Sequence, residues 1–187
     1  MDISIIKDKL KKYLDEDRYI HSIEVMNTSI ELARLYGANE QKAAMAGLLH
    51  DCAKCLPYDK MMEMSFKYNA DIDSIMLKEK ALIHGPLGER MAKYIFAIQD
   101  LDILRSIKYH STGRKDMTLL EKRIYIADYI EPGRSFSGVE KIRAKARVSL
   151  DEAILMTINN TIQYILSKGA LIHPYTIDAR NDILRFT

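Results

Sequence analysis

The stretch RYIHSIEVMNTSIELARLYG (18–37) decides the fold. His21, Val25, Thr28, Leu32 and Leu35 recur in steps of three, four and seven, the spacing of one helix face, so a helix is expected from about Arg18 to Tyr36. Gly37 stands where a helix ends on a C-cap glycine. Upstream, Ile3, Ile6, Leu10 and Tyr13 space as a short amphipathic helix. Downstream, Asn39 suits an N-cap. QKAAMAGLLHDCAK (41–54) then reads as the next helix, and Ala43, Ala46 and Gly47 leave room for a neighbour to approach.

The pattern continues to the far end. Pro57 opens a helix with Met61, Met62, Met64 and Phe66 as its apolar matter, and residues 71–83 are less regular. Leu87, Met91, Tyr94 and Ile95 are helical in spacing, and Leu101 to His110 is stopped by Ser111-Thr112-Gly113. Asp116 or Thr118 caps LLEKRIYIADYI (119–130), which runs into Pro132-Gly133. Ser149 and Glu152 fit a capping box before a long helix closed by Gly169, and Pro174 begins the last one. Few segments alternate with period two, and no linker divides them. The predicted fold is all-α, one helical domain over residues 1–187.

Composition narrows the function classes. The chain has 187 residues, 48% apolar and 29% charged, the balance of a soluble globular protein. Its net charge of +2 argues against a polybasic nucleic-acid binder but leaves room for a small anionic ligand held by a few local cations. The N-terminus mixes charges from its second residue, unlike a signal peptide, and no apolar run approaches the ~20 residues of a membrane helix. The expectation is a cytoplasmic protein that binds neither membrane nor nucleic acid. Two cysteines imply no disulfide framework, and Cys52 and Cys55 read as packing residues. The basic run KIRAKARV (141–148) reads as a solvated face.

The chemistry lies in the histidines. His21, His50, His84, His110 and His173 are all there are, and Asp51 follows His50 directly. Asp128 falls four residues after Ile124 and eight after Leu120, so it faces inward with them. Taken singly, each His is a core residue and each Asp a cap. Taken together, inward histidines and an inward carboxylate on separate helices satisfy one another best through a divalent transition metal, because an unpartnered buried carboxylate costs several kcal/mol. The Asp of the adjacent pair can share the metal of His50 or bridge two.

The order H…HD…H…H…D resembles the HD-domain phosphohydrolases. RYIHS (18–22), LLHDCAK (48–54), IHGPLGE (83–89), IKYHSTGR (107–114), IYIADYIEPGR (124–134) and LIHPYTIDARN (171–181) resemble its YqeK group of symmetrical diadenosine tetraphosphate hydrolases. The resemblance implies His21, His50, Asp51 and Asp128 on one metal, with His84 and His110 completing a second site bridged by Asp51. It also implies iron. Ligand type alone excludes a magnesium-style all-oxygen site and suits Fe, Mn, Co, Ni or Zn.

Asp51, His84 and Lys54 are then the expected catalytic residues. A metal-activated water would attack a phosphoryl group, and ADP would leave. Lys54, Thr112 and Arg134 are candidates for phosphate, and the resemblance adds His173, Tyr175, Arg180 and Asn181 as nucleotide contacts. By the residues alone, His173 is a loop or cap residue. The expected ligand is a dinucleoside polyphosphate or an ADP- or GDP-like diphosphate, with oligomeric state left open. The alternatives are another HD-type nucleotidase, a cyclic-dinucleotide phosphodiesterase, or a non-catalytic nucleotide-binding helical module.

Overall fold

A computed structural model of the protein describes residues 2–185. Among them lie eleven α-helices, one 3-10 turn and no strand. They run α1 (Ile3–Leu10), α2 (Glu16–Leu35), α3 (Glu40–Leu49), α4 (Tyr58–Lys67), α5 (Ser74–Lys78), the 3-10 turn Lys80–Leu82, α6 (His84–Tyr94), α7 (Leu101–Tyr109), α8 (Leu119–Ile130), α9 (Val139–Ala146), α10 (Leu150–Ser167) and α11 (Pro174–Leu184). The all-α expectation holds, and no described helix is long and apolar enough to cross a membrane.

Local chemistry sets the helix starts. Asp15, Asn39, Asp100 and Thr118 each accept a first-turn backbone N–H, a cap worth about 1 kcal/mol. Thr118 and Glu121 close a full capping box. The box expected at Ser149 forms only in half. Ser149 accepts from the Glu152 N–H, but the Glu152 carboxylate pairs with Lys145 at 2.7 Å and the Ser149 N–H donates to Lys145 O. Gly37 ends α2 at φ 65°, as a C-cap glycine should.

Two apolar clusters make the core. One gathers Leu10, Leu48, Leu87, Met91 and Ile107 from α1, α3, α6 and α7. The other gathers Ile142, Ile154, Ile158 and Ala179 from α9, α10 and α11. Helices α2 and α8 feed both. Met26 and Ala33 enter the first cluster while Val25 and Leu32 enter the second. Likewise Leu120 and Ile124 enter the first, Ile126 and Ile130 the second. This corrects the single-stripe reading of α2, because a helix sandwiched between two layers buries several faces and Leu35, on the expected stripe, is 51% exposed.

Helix α3 is shorter than its apolar run. It stops at Leu49, and tight turns carry the chain through Lys54 and Leu56, with N–H bonds from Cys52 to Leu49 O and from Lys54 to Asp51 O. The stop falls where the His50 ring turns back on the helix, its Nδ1 donating to Gly47 O. Cys52 and Cys55 therefore lie on this turn rather than on a helix, and both thiols are free.

Close approaches place these pieces. A Cβ on Gly47 would lie 2.9 Å from Met26 Cα, so α2 and α3 meet where only glycine fits. A Cβ on Gly85 would lie 2.6 Å from Lys108 O, so the start of α6 lies against the end of α7. The first contact brings His50 towards His21, and the second brings His84 towards His110.

Candidate metal centre

Four of the five histidines meet where α2 and the ends of α3, α6 and α7 converge. His21 sits on α2, His50 caps the end of α3, His84 begins α6 and His110 caps the end of α7. All four are buried. Three are fixed by the same local device, in which the ring Nδ1 donates to the carbonyl three residues earlier. His50 uses Gly47 O at 2.7 Å, His110 uses Ile107 O at 2.8 Å, and His84 uses Ala81 O. His21 differs, since its Nδ1 donates to the Glu131 carboxylate at 3.1 Å.

A proton on each Nδ1 leaves each Nε2 with a lone pair. These lone pairs converge. His21 Nε2 lies 3.2 Å from His50 Nε2, and His84 Nε2 lies 3.0 Å from His110 Nε2. The Ser111 hydroxyl reaches both members of the second pair, at 3.2 and 3.0 Å, but has one proton to give. Facing lone pairs repel unless a cation joins them.

The carboxylates complete the case. Asp51 Oδ1 lies 3.1 Å from His84 Nε2 and 3.3 Å from His110 Nε2, while Oδ2 lies 3.5 Å from His50 Nε2 and 3.9 Å from His21 Nε2. Asp51 Oδ1 is buried and receives no donated hydrogen bond. Asp128 Oδ1 approaches His21 Nε2 at 3.1 Å and His50 Nε2 at 3.8 Å. The Asp128 side chain is 25% exposed, so this inward carboxylate borders open space. His21, His50 and Asp51 can hold a metal ion, as can Asp51, His84 and His110. An orphaned buried carboxylate oxygen among imidazole lone pairs fits a divalent transition metal.

Protonation agrees with that use. Burial pushes His50 and His84 down to about 4, so both are neutral near pH 7. Burial would raise Asp128, but its contact with His21 holds it well below the usual carboxylate range, and Asp51 is lowered as well. Burial would lower His21, yet its contact with Asp128 leaves it raised. Behind His21, Glu24 is raised by its hydrogen bond to Glu131, whereas Glu131 is lowered by donors that include Glu24, Gly133 and His21.

Cations surround the cluster. Lys54 Nζ lies 3.2 Å from His84 Nε2. Arg134 donates to Asp128 Oδ1 at 2.6 Å and to Asp128 O at 2.9 Å, so it serves both the carboxylate and the end of α8. Arg18 donates to Asp51 Oδ2 at 2.9 Å. A cleft of about 450 Å³ opens beside His21 and is lined by Arg18, Glu24, Glu131 and Arg134.

The other expected contacts are placed differently. Thr112 is buried and donates to Gly113 O, and the Gly113 N–H closes the α7 end on Tyr109 O. His173 is the N-cap of α11: its Nδ1 accepts from Tyr175 N and its Nε2 meets Asp73 at 2.7 Å. Tyr175 packs edge-on against Tyr109, next to His110. Arg180 donates to Asn159 and, with Asn181, lines a separate cleft of about 520 Å³ between α10 and α11. In the basic run, Arg143 is no solvated residue. It donates to Ile130 O, Glu131 O and Arg134 O and so braces the turn carrying Glu131 and Arg134.

Sequence reasoning missed Arg18, Ser111, Glu24 and Glu131. Two signals were available. Arg18 precedes His21 by three residues and shares its helix face. Glu131 is an acidic group at the negative end of α8, an unfavourable place without a donor.

A helical fold that gathers His21, the His50–Asp51 pair, His84, His110 and Asp128 between its helices defines the HD class of domain. Residues 18–133 match the HD domain family, and the chain belongs to it. It is similar along its length to two proteins named symmetrical bis(5'-nucleosyl)-tetraphosphatase. The one from Halalkalibacterium halodurans is 42% identical over 94% of this chain and 93% of its own. The one from Bacillus subtilis is 41% identical over 89% of each. A crystal structure from Clostridium acetobutylicum, described as a predicted HD superfamily hydrolase involved in NAD metabolism, superposes with a TM-score of 0.96 at 43% identity, covering 100% of this chain and 99% of that one.

Proposed function

We propose that the protein is a metal-dependent phosphoric anhydride hydrolase that cuts diadenosine tetraphosphate symmetrically into two ADP. The observation that carries this reading is the doubled donor set around Asp51, whose two carboxylate oxygens face two different histidine pairs. The bis(5'-nucleosyl)-tetraphosphatase relatives, matched over nearly their whole length, supply the substrate. His21, His50, Asp51 and Asp128 would hold one divalent metal, and Asp51, His84 and His110 a second. Iron is the proposed metal, and Mn, Co, Ni and Zn suit the same donors.

Bound metals would supply acidified water and charge neutralisation at the phosphoryl group. The remaining chemistry belongs to this chain. Asp51 holds the two halves of the site in register. The Lys54 ammonium, beside His84, offsets charge on the departing diphosphate. Arg134 and Arg18, which line the cleft and each pair with a carboxylate of the cluster, offer further N–H donors to phosphate. The oxygen of water bonds to one inner phosphorus as that phosphorus loses its bond to the bridging oxygen, which stays on the second inner phosphorus as the departing ADP, and the water protons pass to solvent. Two ADP result.

A vestigial nucleotide-binding module is disfavoured because all six metal donors are present and converge. The test is product analysis on diadenosine tetraphosphate with metal-replete protein. ADP as sole product supports the reading, and AMP with ATP contradicts it.

A further inference from the structure

The two histidine pairs are not backed alike. His50, His84 and His110 each give their Nδ1 proton to a neutral backbone carbonyl. His21 alone gives it to a carboxylate, Glu131, which is 3% exposed. A negatively charged acceptor makes the opposite ring nitrogen a stronger donor and fixes the ring's orientation.

Glu131 is itself held firmly. The Gly133 N–H donates to Oε2, Arg134 Nε lies 3.4 Å from Oε1, and Arg143 braces the backbone on both sides. The neighbouring Glu24 shares a hydrogen bond with it. Asp128 also stands nearest the first pair, 3.1 Å from His21 Nε2, although His110 lies within reach of it too, whereas His84 has Asp51, Ser111 and Lys54 as its polar neighbours.

From this asymmetry we infer that Glu131 is a positioning residue that ranks the two metal sites: through His21 it makes the His21–His50 side the tighter, first-filled site. The His84–His110 side is then the weaker site, beside Lys54. The inference rests on the two-metal reading of the cluster and goes beyond it in assigning the order and its cause.

The test is a titration of metal-free full-length protein with Co²⁺ at a fixed pH of about 8, followed by visible absorption and by metal content. Wild type should take up Co²⁺ in two unequal steps. His84→Ala should remove the weaker step. Glu131→Gln, which keeps the shape and removes the charge, should weaken the tighter step about 10- to 100-fold and leave the other unchanged. The spectrum of the first-bound Co²⁺ should change in the same variant. The inference is overturned if Glu131→Gln leaves both affinities and the spectrum unaltered, or if His84→Ala removes the tighter step. The wild-type and His84→Ala titrations decide the order even if Glu131→Gln fails to fold. No uptake in wild type ends the two-metal reading as well, whereas two equal steps in wild type end only this one.

Discussion

The Nε2 atoms of His84 and His110 stand 3.0 Å apart, and each ring carries its proton on the far side, donated to a backbone carbonyl. Two lone pairs held face to face, with Asp51 Oδ1 near both, make a site completed by a cation. Removing either ring should cost that cation and spare the other. His84→Ala and His110→Ala should each lose about one metal per chain and at least ~100-fold in rate, the scale of a lost catalytic electrostatic contact. Metal analysis beside turnover checks this. Two metals retained in both variants would make these histidines structural.

Asp51 faces both pairs, so its loss should be felt on both sides. Asp51→Ala should lower metal content and turnover together, in a protein still folded by circular dichroism. Near-normal turnover in that variant would remove the basis for a shared carboxylate.

Lys54 is the cation next to His84, and its role separates from metal binding. Lys54→Met should lower kcat/KM about 10- to 150-fold, the worth of a charge-assisted hydrogen bond, with metals still bound. Lys145→Met is the control, because Lys145 pairs with Glu152 on the surface and should change little. Equal losses at both positions, read at moderate salt, would mean general attraction by surface charge. Metal loss in Lys54→Met would mean that the lysine supports the turn after His50.

Acid should empty the two sides in a set order. His21 is raised above its ordinary value, so protons compete for it as pH falls through that raised value. His84 is pushed down to about 4, so it stays neutral until far lower pH. As pH falls through the raised His21 value, affinity on the His21 side should fall more than on the His84 side. Co²⁺ titrations of His84→Ala and His21→Ala at several pH values measure each side alone. A steeper loss on the His84 side would contradict the assignment.

Much of this was legible in the chain. The six candidate ligands stood out because an inward Asp128 and scarce histidines demand a shared partner, and the HD order matched a known pattern. The caps at Asn39, Thr118 and His173 follow from local chemistry, which sequence carries directly. What sequence hid was long-range. Leu35 fits the helical stripe of α2 but lies outside both layers that cover the helix. The end of α3 is a local exception, where the His50 ring bonds Gly47 O three residues back and apolar periodicity does not report it. Arg18, Glu131 and Arg143 meet partners that no spacing rule specifies.

The central claim is that Asp51 lies between two metal ions, and anomalous diffraction from crystals grown with iron tests it most directly. The account predicts two peaks flanking Asp51. One should lie about 2.0–2.2 Å from the Nε2 atoms of His21 and His50, the other at the same distance from those of His84 and His110. A single peak, or two peaks away from Asp51, would contradict it.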